Sequence, residues 1–163
     1  MHETADEIAA LQELLDASFA RANAHLRGIW GPQTRLSAEE LSSELAGIEV
    51  LDLATVTRRG EPRVAPVDGF FYRGHFWFGS SPYSQRFRNI RANPAVSAAI
   101  TRGLETFLVL VHGTAVELDP RGEEAGGFAR MPRELYDFEW DAAHPDAPYA
   151  RIEAHTLLAF KRR

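Results

Sequence analysis

The stretch IEVLDLATVTRRGEPRVAPVDGFFYRGHFWF, residues 48–78, decides the fold. Its first run, Ile48 to Thr57, is apolar and β-branched and stops at Arg58-Arg59-Gly60-Glu61, a turn. Pro62 to Tyr72 reads as the return strand, and Arg73-Gly74 as a second tight turn. His75 to Phe78 is a third strand, whose last three residues are all aromatic. Three strands in a row, joined by short turns, make an antiparallel meander.

Helices stand on the N-terminal side. Ile8, Leu11, Leu14, Leu15, Ala22 and Leu26 recur at helical spacing after a Thr4/Glu7 capping box, and Gly28 and Gly31-Pro32 stop the run. A second short helix starts at Ser37, with Glu40 three positions on, turns Leu41 and Leu45 inward and closes at Gly47. On the C-terminal side a polar loop, 79–84, leads into a short helix from Gln85 to Ala92, ended by Asn93-Pro94. Ala95 to Thr101 and Phe107 to Leu118 read as strands. Asp119 to Pro148 is rich in Gly, Glu and Pro, with one or two helical turns, and Tyr149 to Lys161 is a last strand.

The expected fold class is therefore mainly β: a closed six-stranded antiparallel barrel with flanking helices, with a sandwich as the alternative. The length suits one domain, 1–163. Within it, 1–46 is a helical extension, 48–118 the barrel core, 119–148 an insertion and 149–162 the closing strand.

A net charge of −5 argues against a general nucleic-acid binder, which needs a basic surface to displace counterions. The absence of cysteine excludes disulfides, thiolate metal sites and cysteine nucleophiles. Apolar runs are strand-length, so no membrane span is expected. With no basic-then-apolar leader at the start, the expected setting is the cytoplasm.

Chemistry concentrates in Phe78-Gly79-Ser80-Ser81-Pro82-Tyr83-Ser84-Gln85-Arg86-Phe87-Arg88-Asn89-Ile90-Arg91. Hydroxyl side chains precede a helix start, where free N–H groups and the helix dipole favour an anion. Arg86 and Arg88 are two positions apart and cannot share a helix face, so at most one of them points at such an anion. A plain N-cap at Ser84 with solvated arginines is the alternative reading of the same residues.

The run from Val50 to Leu118 resembles the flavin-binding split-barrel family typified by pyridoxamine 5′-phosphate oxidase. The matching pieces are Leu53-Ala54-Thr55-Val56, Gly60-Glu61-Pro62-Arg63-Val64-Ala65-Pro66-Val67, Phe76-Trp77-Phe78 with Ser80, the Ser84-Gln85-Arg86 triplet, Asn89 to Val96, and Gly113-Thr114-Ala115. The resemblance implies FMN bound near the seam of a homodimer. Its phosphate would lie on Arg63, Ser80, Ser84 and Arg86, with Ser81 and Gln85 also at the cofactor, and its ring along the backbone of Ala65, Pro66 and Val67 and beside Trp77 or Phe78. Guanidinium and hydroxyl donors suit a phosphate dianion. The implied activity is that of a flavin-dependent oxidoreductase whose substrate is unassigned. The alternatives on the same fold are a reductase using the deazaflavin coenzyme F420 and a flavin-binding module without turnover.

Three departures set the chain apart from the oxidases themselves. Gln85 replaces an arginine, Asp68 lies near a lysine position, and the C-terminal stretch Glu153 to Phe160 lacks the tryptophan and arginine that hold pyridoxal substrates.

Six scattered histidines, His2, His25, His75, His112, His144 and His155, show no metal-ligand spacing, so no metal is expected. His112, in an apolar run, reads as a packed, hydrogen-bonded residue. Asp137, Glu139 and Asp141 around Trp140 read as a solvated loop, with a lid as the alternative. Trp30 reads as packing the N-terminal helices onto the barrel.

Overall fold

The computed structural model describes residues 2–103, 106–131 and 146–162. Six antiparallel strands close into a barrel: β1 (Ile48–Val56), β2 (Pro62–Tyr72), β3 (His75–Gly79), β4 (Ala95–Arg102), β5 (Phe107–Leu118) and β6 (Tyr149–Lys161). They run around it in the order β1-β2-β3-β6-β5-β4, with β4 returning to β1 through Asp52–Ala54. The closed barrel replaces the sandwich alternative.

Alternation builds the interior. Leu51 and Leu53 of β1, Val96, Ala98 and Ile100 of β4, Val109 and Val111 of β5, and Leu157 and Ala159 of β6 are all buried in one core. Their intervening neighbours face outward, as a period of two requires. The β2–β3 turn takes left-handed conformations at both Arg73 (φ 51°) and Gly74 (φ 78°), the twist that a two-residue hairpin favours.

β6 breaks the alternation, burying Leu157, Leu158, Ala159 and Phe160 in succession. Helix α1 (Ala5–Arg21) packs against it, with Phe19 edge-on to Phe160 at 6.2 Å, and Ser18 accepts a hydrogen bond from the Leu157 N–H at 2.9 Å. Thr4 and Glu7 form the expected capping box, and Glu7 also takes the Arg73 guanidinium at 2.7 Å, tying the helix start to the β2–β3 turn. Trp30 stacks on Phe160 at 5.3 Å, holding the helical extension to the barrel as its position suggested.

The first helix is shorter than its periodicity predicts. Ala22 turns extended, and Asn23 caps a separate helix, α2 (Ala24–Ile29), by accepting from the Leu26 N–H at 2.8 Å. The apolar spacing through Leu26 belongs to two helices because an Asn side chain supplies a new start. The second expected helix is α3 (Ala38–Glu44), with the Ser37/Glu40 capping box in place.

Outside the barrel wall a smaller cluster forms under α5 (Glu123–Phe128), which lies in the 119–148 segment. Phe128 lies flat on Trp77 at 4.7 Å and edge-on to Tyr149 at 5.0 Å. The acidic group 137–141 lies outside the described residues. No described helix is long and apolar enough to cross a membrane.

β5 and β6 change register between His112 and Gly113. A Cβ on Gly113 would stand 2.3 Å from the Glu153 carbonyl oxygen and 2.9 Å from the Ala154 Cα, both backbone atoms that cannot swing aside. Gly113→Ala should therefore destabilise the barrel by roughly 1–3 kcal/mol, the range for overpacking. The check is a lower urea midpoint with an unchanged slope.

Candidate functional site

The segment that carries the chemistry folds as one helix between two strands. α4 (Gln85–Ala92) keeps the bounds its sequence predicts, with Ser84 as N-cap accepting from the Phe87 N–H at 3.3 Å. Phe87 and Ile90 enter the barrel core on one side. Asn89, 3% exposed, donates to the Thr55 hydroxyl of β1 at 2.9 Å and accepts from the Gln85 amide at 2.8 Å. This chain of two hydrogen bonds fixes the rotation of α4 against β1. Sequence reading did not find it, because Thr55 and Asn89 are ordinary residues until the fold brings them together.

The three arginines of α4 part company. Arg86 reaches back to β2 and donates to the Pro66 carbonyl at 3.0 Å. It is half-buried, and burial pushes its guanidinium below its usual pKa. Arg88 turns the other way and donates twice to the Tyr83 carbonyl, at 2.6 and 3.0 Å. Arg91 pairs with Glu117 at 2.6 Å and donates to the Pro82 carbonyl at 2.9 Å. One of the three faces β2, as the helical spacing of Arg86 and Arg88 requires.

β2 itself is half bare. Pro62 to Pro66 are exposed, although Arg63, Ala65 and Val67 pair with the core-facing Thr55, Leu53 and Leu51 of β1. The inner face of the strand is thus uncovered at this end, where α4 approaches. β3 pairs with β2 only from Gly69 onward.

The implied cofactor residues are brought together unevenly. Arg86 and the backbone of Pro66 meet directly, and Ser84 has its hydroxyl proton left to donate while its oxygen caps the helix. Ser80 and Ser81 stand in the loop just before, with the Ser81 carbonyl accepting from the Ser84 N–H at 3.0 Å. The Arg63 guanidinium pairs with Glu61 at 2.7 Å. The Gln85 amide is turned to Asn89. Phe78 is fully buried, leaving its backbone as the part near the loop, and Trp77 is committed to Phe128 and to the Tyr72 carbonyl.

Beyond α4 a second feature appears that no motif announced. An open cleft of about 560 Å³ runs between the β1–β2 turn and α4, lined by Arg58, Arg59, Glu61, Gln85, Arg88 and Arg91 among others. Arg58 and Arg59 read in sequence as turn residues alone.

The described histidines do not cluster. His112 faces outward on β5 with Nδ1 2.7 Å from the Ser97 hydroxyl, a hydrogen-bonded residue as its sequence context suggested. His75 lies by the Ile152 carbonyl, and burial lowers its pKa. No group of three or more His, Cys, Asp or Glu residues suited to a metal occurs among the described residues.

A family model described as pyridoxamine 5′-phosphate oxidase matches residues 37–159. No curated protein matches the chain. Among solved structures, a conserved hypothetical protein, Rv2991, from Mycobacterium tuberculosis is 19% identical with a TM-score of 0.67, over 82% of this chain and 90% of that one. A structure described as an F420 reductase is 24% identical with a TM-score of 0.58, over 71% and 94%. HutZ, the heme storage protein of Vibrio cholerae, is 19% identical with a TM-score of 0.61, over 76% and 91%. Against a protein of unknown function from Agrobacterium tumefaciens, 16% identical with a TM-score of 0.60, the match takes 71% of this chain but only about half, 52%, of the other. At these identities the likeness is one of fold.

Replacing Asn89 with Ala should leave the Thr55 hydroxyl buried without its partner and cost about 1–3 kcal/mol. The thermal midpoint should fall, and amide exchange across Gln85–Ala92 should rise more than exchange in β5.

Proposed function

Because the chain belongs to the pyridoxamine 5′-phosphate oxidase family, we propose that it is a flavin-dependent oxidoreductase that holds FMN between β2 and α4. The observation that carries this reading is Arg86. It is a half-buried cation whose only hydrogen-bond partner among the described residues is the Pro66 carbonyl, so it is desolvated without a counter-charge. Such a group gains most from a dianion beside it. A phosphate there would meet Arg86, the Ser84 hydroxyl and the Ser80-Ser81 loop, donors of the kind a phosphate ester takes.

The flavin would supply the hydride chemistry, and the protein its position and surroundings. Arg86 binds and neutralises the phosphate. The backbone of Ala65, Pro66 and Val67 offers hydrogen-bonding groups along the uncovered face of β2, and the wall behind it, Leu51 and Leu53, keeps water from that side. No side chain is assigned as an acid or base, since the transfer of a hydride to or from a flavin does not call for one.

The reading includes a homodimer and a place in the cytoplasm. Val50 and Val64, on the outer side of β1 and β2, are 56% and 69% exposed, and a second copy packed on this face would cover them and wall in the site. A small-molecule electron donor or acceptor would enter from the opening that remains. A deazaflavin in place of FMN is the second reading, favoured by the cationic cleft that adjoins the same helix.

Reconstitution tests the proposal. The protein incubated with FMN should stay yellow through gel filtration and elute at dimer mass. Arg86→Ala should weaken FMN by about 1.5–3 kcal/mol, the worth of a charge-assisted hydrogen bond. A Soret band with no flavin absorbance in the purified protein would replace this cofactor with haem. Uptake of neither would refute the oxidoreductase reading.

A further inference from the structure

α5 is a weak helix in a well-made seat. Its residues, Glu-Glu-Ala-Gly-Gly-Phe, are too few to hold a helix alone, and its N-cap, Gly122, makes no side-chain hydrogen bond. Gly127 has a reason to be glycine, since a Cβ there would stand 2.8 Å from the Tyr72 hydroxyl oxygen. Gly126 has none. It lies exposed within the helix, and a Cβ on it would meet nothing within 4 Å. Glycine at this position weakens the helix without serving its packing.

The seat does not depend on the helix. Phe128 is boxed in by Trp77, stacked at 4.7 Å, and by Tyr149, Phe70 and Tyr72 at 5.0, 5.5 and 6.2 Å. These four rings stand on three strands of the barrel. Phe70 and Trp77 are ladder partners on β2 and β3, and Trp77 Nε1 donates to the Tyr72 carbonyl at 3.1 Å. Tyr149 lies opposite Gly79, where a Cβ would come 3.1 Å from its ring. Lifting α5 would leave a slot for one flat ring, with its walls in place.

The second contact of α5 is charged. Glu124, one helical turn before Phe128, pairs with Arg151, the ladder partner of Trp77 on β6. Arg151 also holds Glu153 at 2.9 Å, while its Nε is buried with no hydrogen-bond partner among the described residues. α5 thus presents a phenyl ring to Trp77 and a carboxylate to Arg151, and it leaves one guanidinium donor unmet, which burial penalises.

We propose that α5 is a displaceable plug, and that the seat beneath it is a binding site for an aryl-alkyl carboxylate. The ligand's ring takes the place of Phe128, and its carboxylate takes that of Glu124. A carboxylate not tied to a helix can set both oxygens on the guanidinium, Nε included, in the bidentate geometry that Glu124 leaves incomplete. The site lies on the outside of β2, β3 and β6 and makes no use of the flavin pocket.

Titration of the full-length protein with 3-phenylpropionate, in the absence of FMN, tests the site. The wild type should bind it, and at saturation amide exchange across Glu123–Phe128 should quicken, because the ligand selects the lifted helix. Gly126→Ala steadies the plug and should weaken the ligand about fivefold, without lowering the thermal midpoint. Phe128→Ala removes the competitor and should tighten the ligand by roughly tenfold or more. 3-Phenylpropanol, with the same ring and no charge, should bind about tenfold more weakly than the acid. Absence of binding to the wild type would overturn the proposal. So would binding that leaves α5 exchange unchanged and ignores Gly126→Ala, or equal affinity for the alcohol. If Phe128→Ala does not fold, the wild type and Gly126→Ala decide between these outcomes.

Discussion

β6 pairs with β3 through Tyr149–Ile152 on one side and with β5 along its whole length on the other, so the last strand to emerge from the chain is the one that closes the ring. Its pairing with β3 joins residues 70 to 76 positions apart, from Gly79 with Tyr149 to Phe76 with Ile152, an entropic cost that local contacts cannot offset. The offset comes from both faces of the strand at once. Leu157 and Ala159 fill the barrel, while Leu158 and Phe160 are sealed from outside by α1, Trp30 and the Ser18 hydrogen bond. The helical extension, which looks peripheral in sequence, is therefore part of the closure. At the other end of β6, Tyr149 does the same with Phe128 and α5.

With the ring closed, α4 becomes a plug at the end where β2 stands bare. Each side of this short helix has a separate task. Phe87 and Ile90 complete the core, Asn89 locks the rotation, Arg86 points to β2, and Arg88 and Arg91 brace the preceding loop through the carbonyls of Tyr83 and Pro82. A rotation of one residue would carry Arg86 off β2 and expose Phe87. Charge placement at the site thus follows from packing in the core.

Much of this was legible in the sequence. The bounds of β2, α4, β5 and β6 coincide with those read from period and punctuation, because proline, glycine or asparagine stands at most of their ends. The divergence of Arg86 and Arg88 follows from helical geometry alone. What escaped was non-local or competitive. Asn23 restarts a helix inside an unbroken apolar period, and that contest is settled by one side-chain hydrogen bond. The Glu61 partner of Arg63 and the meeting of Arg58 and Arg59 with α4 depend on where the hairpin lies relative to a helix two strands later. The family resemblance supplied a list of phosphate residues, but it could not say that Gln85 would be spent on Asn89.

The bare part of β2 has a further consequence, for solubility. From Pro62 to Val67 the strand pairs with β1 on one flank and with no described strand on the other. An open strand flank with valines beside it is a template on which other chains can add as extra strands. Pro62 and Pro66 remove two amide donors from that flank, and the Arg86 guanidinium occupies the Pro66 carbonyl. The prolines and the arginine that shape a ligand pocket also act as gatekeepers against misassembly.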